Sequence, residues 1–221
     1  MEVRRPQSET ELMERARAIA GRTLGELARS LEETAPGSLN HAKGWAGRLI
    51  ELCLGAPADN KAAPDFENLG IELKTLPVDE TGRPRESTYL CTVDLRDETE
   101  TWETSRARHK LAHVLWIPLR VLPGQPPSAR LVGHPILWHI DNDEADLKAD
   151  WESHMDLIRR GLVETITGHD GRHLQIRPKA ANSESVTWGL DPRGEAILTL
   201  PRGFYLRASL TGRILRDHFN L

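Results

Sequence analysis

Residues 64–75 read PDFENLGIELKT and place two acids and a lysine around a short apolar run. A β-strand points successive side chains to opposite faces, so Glu72 and Lys74 lie on the same face of a strand through GIELKTL. Asp65 precedes a glycine-containing turn at residues 68–70, and a chain reversal there could bring its carboxylate back beside the strand. The stretch therefore favours a site at which Asp65, Glu72 and Lys74 meet.

Two carboxylates and a lysine at a strand end can support metal-dependent chemistry. Carboxylate oxygens bind Mg²⁺, and an ammonium group can orient or deprotonate a water molecule that attacks phosphorus. Such a site would hydrolyse phosphodiesters. The alternative is structural, with Asp65 capping a turn and Glu72 and Lys74 on an ordinary solvated strand. Glu51 offers a third acid on a helix that precedes the stretch, although an exposed helix acid is equally common.

The composition is ordinary for a soluble globular protein. The 221 residues are 38% hydrophobic and 28% charged, which is enough for one large domain or two lobes. Without an apolar run of eighteen residues or a signal-like N-terminus, a cytoplasmic protein without a membrane contact is expected. Cys53 and Cys91 each lie in an apolar run, which favours reduced thiols over a disulfide.

The charge is unevenly distributed along the chain. The net charge of -4 argues against indiscriminate coating of nucleic acid. Residues 172–216 nevertheless hold eight bases and three acids. This basic third could line one side of a groove, or its arginines could be scattered surface charge.

Periodicity predicts a mixed sheet surrounded by helices. Ser8 and Glu11 form a capping-box pattern that begins the first helix. Alternating apolar residues and turn signals mark the strands. The predicted helices are 8–21, 23–33, 43–55, 102–111, 143–161 and 209–219, and the predicted strands are 70–76, 87–95, 113–119, 129–138, 173–178, 195–200 and 204–208. The segment SESVTWGLDP is read as a loop.

Other chemistries lack their motifs. The chain has no G-x-x-x-x-G-K-[ST], no G-x-G-x-x-G and no G-x-S-x-G. His109 and His113 have the helical spacing of a zinc pair, but the glutamate next to the first histidine that a metalloprotease needs is missing. Hydrolysis of a phosphodiester remains the best supported reaction.

Five blocks, in chain order, resemble the MutH family of strand-nicking endonucleases of methyl-directed mismatch repair. They are KGWAGRLIELCLGA, PDFENLGIELKTLPVD, TWETSRARHKLAHVLWIP, LQIRPKAAN and LTLPRGFYL. The resemblance implies an α/β, restriction-endonuclease-like PD-(D/E)xK fold with a mixed central sheet, flanking helices and two arms that form a DNA-binding cleft. One domain would span residues 1–221, with the catalytic arm at about 1–100 and the recognition arm at about 101–221.

The resemblance also implies an activity and its partners. A monomer would nick the unmethylated strand of double-stranded DNA at hemimethylated GATC sites, with Mg²⁺ as cofactor and Mn²⁺ as a possible substitute. MutL would activate it after mismatch detection by MutS.

The family's functional residues are matched position by position. Asp65 and Glu72 match its metal-binding carboxylates and Lys74 its catalytic lysine, while Glu51 and Lys110 match an additional acid and a lysine near the catalytic centre. The predicted DNA contacts are Lys43, Gly44, Arg177, Pro178, Lys179, Arg202, Tyr205 and Arg207. Within that set Arg177 and Lys179 would read guanine, Tyr205 would sense the adenine methyl group, and Arg202 and Arg207 would contact phosphates.

Two other functions remain open. Restriction endonucleases that cut GATC share these blocks, although they resemble two such modules in a longer chain. A catalytically silent adaptor that binds DNA or MutL is the other alternative, but it would not require Asp65, Glu72 and Lys74 together.

Overall fold

The computed structural model describes residues 3–37, 44–56, 63–179 and 184–220, and the chain forms two units. The first unit comprises Met1–Arg85, Lys110–His139 and Ile214–Leu221; the second comprises Glu86–His109 and Ile140–Arg213. This division differs from the predicted boundary near residue 100. Residues 110–139 belong with the N-terminal part of the chain because their first strand pairs with the strand that carries Glu72.

The first helix begins at the predicted cap Ser8, but the predicted capping box is only half formed. The Ser8 hydroxyl accepts the Glu11 N–H, but the Glu11 carboxylate takes the N–H of Gln7 rather than that of Ser8. Thr23 and Glu26 form the full reciprocal capping box. The first three helices are α1 (Glu9–Ile19), α2 (Leu24–Ser30) and α3 (Trp45–Leu54).

A mixed sheet occupies the first unit, as predicted. Its strands are β1 (Glu72–Val78), β3 (His113–Arg120), β4 (Leu131–Val132) and β5 (Ile136–His139). Strand β3 pairs in parallel with β1 on one side, and antiparallel with both β4 and β5 on the other. The single strand predicted at residues 129–138 is thus two strands. Neither Pro118 nor Pro135 has an N–H to donate, so the ladder is interrupted between them.

The core of the first unit lies between its helices and its sheet. It consists of buried apolar side chains from α1, α2, α3, β1, β3 and β4, among them Leu12, Leu27, Leu49, Ile50, Leu73, Leu115 and Val132. Because α3 packs against β1, this core fixes the helix that carries Glu51 beside the strand that carries Glu72.

A separate antiparallel sheet forms the second unit. Strand β9 (Arg202–Leu206) lies between β2 (Thr88–Thr92) and β6 (Leu174–Pro178), and β7 (Thr187–Leu190) and β8 (Ala196–Thr199) form a two-stranded hairpin. The prediction of one sheet was therefore wrong. Strand β7 was missed because it contains Gly189 and is flanked by serine, aspartate and proline, all of which are turn-forming residues.

Three further α-helices lie in the described residues: α4 (Arg106–Leu111), α5 (Glu144–Arg159) and α6 (Ala208–Phe219). The helix predicted at 102–111 is broken at Ser105, which is extended and whose hydroxyl accepts the Arg108 N–H. In α5 the buried Asp150 carboxylate accepts the N–H groups of Arg172, His173 and Leu174, and so anchors the start of β6. No helix in the described ranges is long and apolar enough to span a membrane.

Candidate active site and nucleic-acid interface

Strand β1 brings Glu72 and Lys74 together. The Lys74 ammonium donates to Glu72 Oε1 at 2.5 Å, as expected for residues two apart on one strand face. Glu72 is only 1% exposed. A buried carboxylate is costly without a cationic partner, and the Lys74 ammonium supplies one.

A tight reversal brings Asp65 to the same strand. Phe66 and Ile71 form an antiparallel bridge, and Gly70 closes the turn with φ 65°, a left-handed conformation that favours glycine. The Asp65 carboxylate then accepts the backbone N–H of Leu73 at 2.8 Å. The chain reversal anticipated from the sequence is confirmed.

Lys110 reaches the same carboxylate from another element. The parallel pairing of β1 and β3 sets Val114 opposite Glu72, so the end of α4, just before β3, lies at the edge of the sheet where β1 begins. The Lys110 ammonium donates to both Glu72 oxygens, each at 2.8 Å, and the residue is 7% exposed. Glu72 is thus held between two lysines.

Glu51 on α3 is electrostatically coupled to this cluster. Burial, followed by the negative charge of Asp65, raises the pKa of Glu51 to about 7, with a further contribution from Glu72. Lys74 acts in the opposite direction. Burial and the Glu72 charge likewise raise the pKa of Asp65. Three carboxyl groups therefore compete for the stabilisation that two lysines provide.

This donor set fits a hard divalent cation in part. Mg²⁺ is commonly bound through one or two carboxylates, with water and substrate phosphate as the other ligands. Asp65 and Glu72 supply two such groups, and their mutual repulsion is what a divalent cation would relieve. Within the described residues, no three His, Cys, Asp or Glu side chains are grouped closely enough for one ion. Glu51 therefore does not complete a three-acid ligand set.

The predicted recognition residues lie on the sheet of the second unit. Arg177 and Pro178 are exposed at the end of β6, and the Lys179 ammonium lies 4.1 Å from the centre of the Tyr89 ring. Tyr205 on β9 is half-buried, and its ring meets that of Tyr89 edge to face at 5.3 Å. The structure therefore brings Lys179 and Tyr205 together through Tyr89.

Gly44, another predicted DNA contact, lies at the start of α3. Gly44 has φ 82°, and a Cβ built on it would meet open space. Lys43, which was predicted with it, lies outside the described residues.

Comparison with known proteins identifies the family. The MutH family model, described as DNA mismatch repair enzyme MutH, matches residues 54–150. The DNA mismatch repair protein MutH of Klebsiella pneumoniae is 50% identical over 218 residues, covering 98% of this chain and 94% of that relative. The Escherichia coli protein of the same name is 49% identical over 217 residues, covering 97% of this chain and 94% of that protein.

The chain belongs to the MutH family. It is therefore a DNA endonuclease of mismatch repair.

In this MutH family member, two arginines that were predicted to contact phosphate, Arg202 and Arg207, bind other groups of the protein. Arg202 is only 6% exposed, and its guanidinium donates to Glu164 at 2.9 Å. Arg207 donates to the backbone carbonyls of Gly168, Asp170 and Gly171. Both arginines hold the second unit together, and their contact with phosphate stays a prediction.

Two residues that lie beside the predicted DNA contacts were not identified from the sequence. Tyr89 contacts Lys179 and Tyr205, and Gly203 on β9 lies beneath the two tyrosine rings. The signal that could have revealed them is strand alternation, since Gly203 and Tyr205 are two apart and share a face. The register that sets Tyr89 opposite Tyr205 is a tertiary feature.

The raised pKa of Glu51 predicts a pH-dependent stability in this MutH family member. The folded protein binds the Glu51 proton more tightly than the unfolded chain does, so the free energy of unfolding falls as the pH rises from 4.5 to about 7. Glu51→Gln removes this penalty. We expect it to raise the free energy of unfolding by about 1–2 kcal/mol at about pH 8, after allowance for partial exposure, with little gain near pH 4.5.

Urea unfolding of both proteins at the two pH values, in chelator, measures this gain. Glu14→Gln on the exposed face of α1 is the matched control. A gain that is independent of pH would contradict the assignment of the effect to the Glu51 proton.

Proposed function

We propose that this protein nicks the unmethylated strand of double-stranded DNA at hemimethylated GATC sites during methyl-directed mismatch repair. The reaction would depend on Mg²⁺, with Mn²⁺ as a substitute, and MutL would activate it. The observation that carries this proposal is the cluster in which Glu72 contacts Lys74 and Lys110 while Asp65 is held beside the same strand. A PD-(D/E)xK type of fold with two DNA-binding arms is part of the proposal.

Asp65 and Glu72 would hold the Mg²⁺ ion. When bound, it supplies a Lewis acid for the phosphoryl oxygen and lowers the pKa of bound water. Lys74, which is partly exposed beside Glu72, would orient the water that attacks phosphorus. Lys110, which is buried, would fix the orientation of the Glu72 carboxylate through its two hydrogen bonds. The products are a new phosphomonoester and the released sugar hydroxyl.

Strand choice would be made by the sheet of the second unit. Arg177 and Lys179 can donate to guanine O6 and N7 in the major groove. A methyl group on adenine N6 adds bulk at that same groove and removes a donor hydrogen. Half-buried Tyr205, whose ring is held by neighbouring side chains, would contact the unmethylated adenine and clash with the methyl group. Lys43 and Gly44 would approach the DNA from the first unit.

Membership of the MutH family supports a proposal about the partners. Mismatch detection by MutS would act through MutL, and the final helix α6 is the proposed MutL contact. A single catalytic cluster among the residues that the structure describes suits a monomer that cuts one strand. Because the substrate is the bacterial chromosome, the enzyme would work in the cytoplasm.

A supercoiled circle with one hemimethylated GATC site tests the proposal. We expect Mg²⁺-dependent conversion to the nicked form, with the cut on the unmethylated strand, and no cutting of a fully methylated circle. MutL and ATP should accelerate the reaction. Failure to cut under any of these conditions would favour an adaptor, and linear product from an unmethylated circle with one site would favour restriction.

A further inference from the structure

We propose that Tyr89 is a positioning residue for DNA recognition, which holds the Lys179 ammonium and the Tyr205 ring in place on the sheet of the second unit. This inference rests on the proposed function, because it assumes that Lys179 and Tyr205 read the GATC site. Tyr89 would act through these two side chains.

The sheet register places the three residues together. Tyr89 on β2 lies opposite Tyr205 on β9, and Tyr205 lies opposite Gln175 on β6. Lys179 directly follows β6, and its backbone N–H donates to the Pro201 carbonyl at 2.7 Å, which continues the pairing of the two strands. The backbone of Lys179 is thus fixed, while its long side chain still needs a contact that selects one direction.

The Tyr89 ring supplies that contact. The Lys179 ammonium lies 4.1 Å from the ring centre, within the distance at which a cation is attracted to an aromatic face. The edge-to-face contact with Tyr205, at 5.3 Å and an interplanar angle of 62°, is the arrangement that aromatic quadrupoles favour. One ring therefore orients both a cation and a second ring.

Gly203 makes room for this arrangement. A Cβ on Gly203 would lie 3.0 Å from Tyr89 Cε2 and 3.3 Å from Tyr205 Cε2, and 3.2 Å from the backbone oxygen of Cys91. These contacts are closer than ordinary van der Waals packing, so any larger residue would displace the rings. The opposite face of the sheet carries the buried side chains of Leu174, Ile176, Phe204 and Leu206, which fix β9 from below.

Two substitutions separate the ring from the hydroxyl of Tyr89. Tyr89→Leu keeps an apolar side chain and removes the ring, whereas Tyr89→Phe keeps the ring. We expect Tyr89→Leu to lower kcat/KM on hemimethylated GATC about tenfold and to reduce discrimination against a site with one altered G·C pair. Tyr89→Phe should restore both values to within about twofold of the starting protein. Equal losses in the two variants would overturn the proposal.

A double-mutant cycle tests whether Tyr89 acts through Lys179. In a Lys179→Met background, Tyr89→Leu should lower discrimination at the G·C pair by less than about twofold, because the cation that the ring holds is already absent. An undiminished loss of discrimination in that background would show that Tyr89 acts elsewhere. Tyr205→Ala provides the reference for lost methyl discrimination.

A DNA-free measurement separates this inference from the proposed function. The Lys179 side-chain protons lie over the Tyr89 ring, so their NMR signals should be shifted upfield in the starting protein and in Tyr89→Phe, and should return to ordinary positions in Tyr89→Leu. Absence of the shift in the starting protein would overturn the positioning role. A normal shift in a protein that does not nick GATC would overturn the proposed function instead.

Discussion

Replacement of Lys74 by alanine should reduce nicking by about a thousandfold or more while DNA affinity changes less than about twofold. Lys74 is the partly exposed member of the lysine pair on Glu72, so it is the ammonium that a water molecule can reach. Fold and binding should survive, because Lys110 still donates to both Glu72 oxygens. The carboxylate is not left as an unpaired buried charge.

Single-turnover cleavage of the hemimethylated circle measures the loss, and binding to the same site in Ca²⁺ measures affinity. Lys148→Ala is the matched control, since Lys148 pairs with Glu103 on the surface of the second unit. A Lys74→Ala enzyme that retains its nicking rate would remove Lys74 from the mechanism. A parallel loss of DNA affinity would make it a binding residue.

The second large effect is expected at Asp65. Asp65→Asn should abolish nicking to within the detection limit, a loss of about a thousandfold or more, because a neutral amide is a poor ligand for a hard cation. The amide oxygen can still accept the Leu73 N–H, so the turn that holds residue 65 should persist. Glu51→Gln should cost only about tenfold, since Glu51 influences the cluster through its charge.

The comparison of the two variants is the informative measurement. Nicking rates over a range of Mg²⁺ concentrations should show a raised Mg²⁺ requirement for Glu51→Gln and no recovery for Asp65→Asn. Equal losses at saturating Mg²⁺ would place Glu51 among the groups that contact the reacting atoms or the ion. Recovery of Asp65→Asn at high Mg²⁺ would show that Asp65 is not essential as a ligand.

The central triad could be predicted because its geometry is local. Glu72 and Lys74 share a strand face by the period of two, and one tight turn returns Asp65 to that strand. Lys110 entered through the resemblance to a family, and Glu51 was noted from the sequence only as a third acid on a preceding helix. Their approach to Glu72 depends on the parallel pairing of β1 with β3 and on the packing of α3 against β1.

The binding partners of Arg202 and Arg207 could not be predicted from the sequence. Arg202 and Arg207 lie in a basic, strand-rich segment that favours nucleic-acid contact, yet one is buried on Glu164 and the other binds three backbone carbonyls. Their partners are 30 or more residues away along the chain. The charge of a residue can be read from a sequence, but its ion-pair or hydrogen-bond partner in the folded protein cannot.

The amino-acid sequence was sufficient for the chemical class, for the helix cap at Ser8, and for the approach of Asp65 to Glu72 and Lys74, because each depends on neighbours within about one turn or one strand. Three features were determined by folding alone: the separation of the described strands into three sheets, the second lysine on Glu72, and the Tyr89 ring beneath Lys179. Each requires segments far apart in the chain to meet, and the free energy of such meetings comes from packing and strand pairing rather than from local preference.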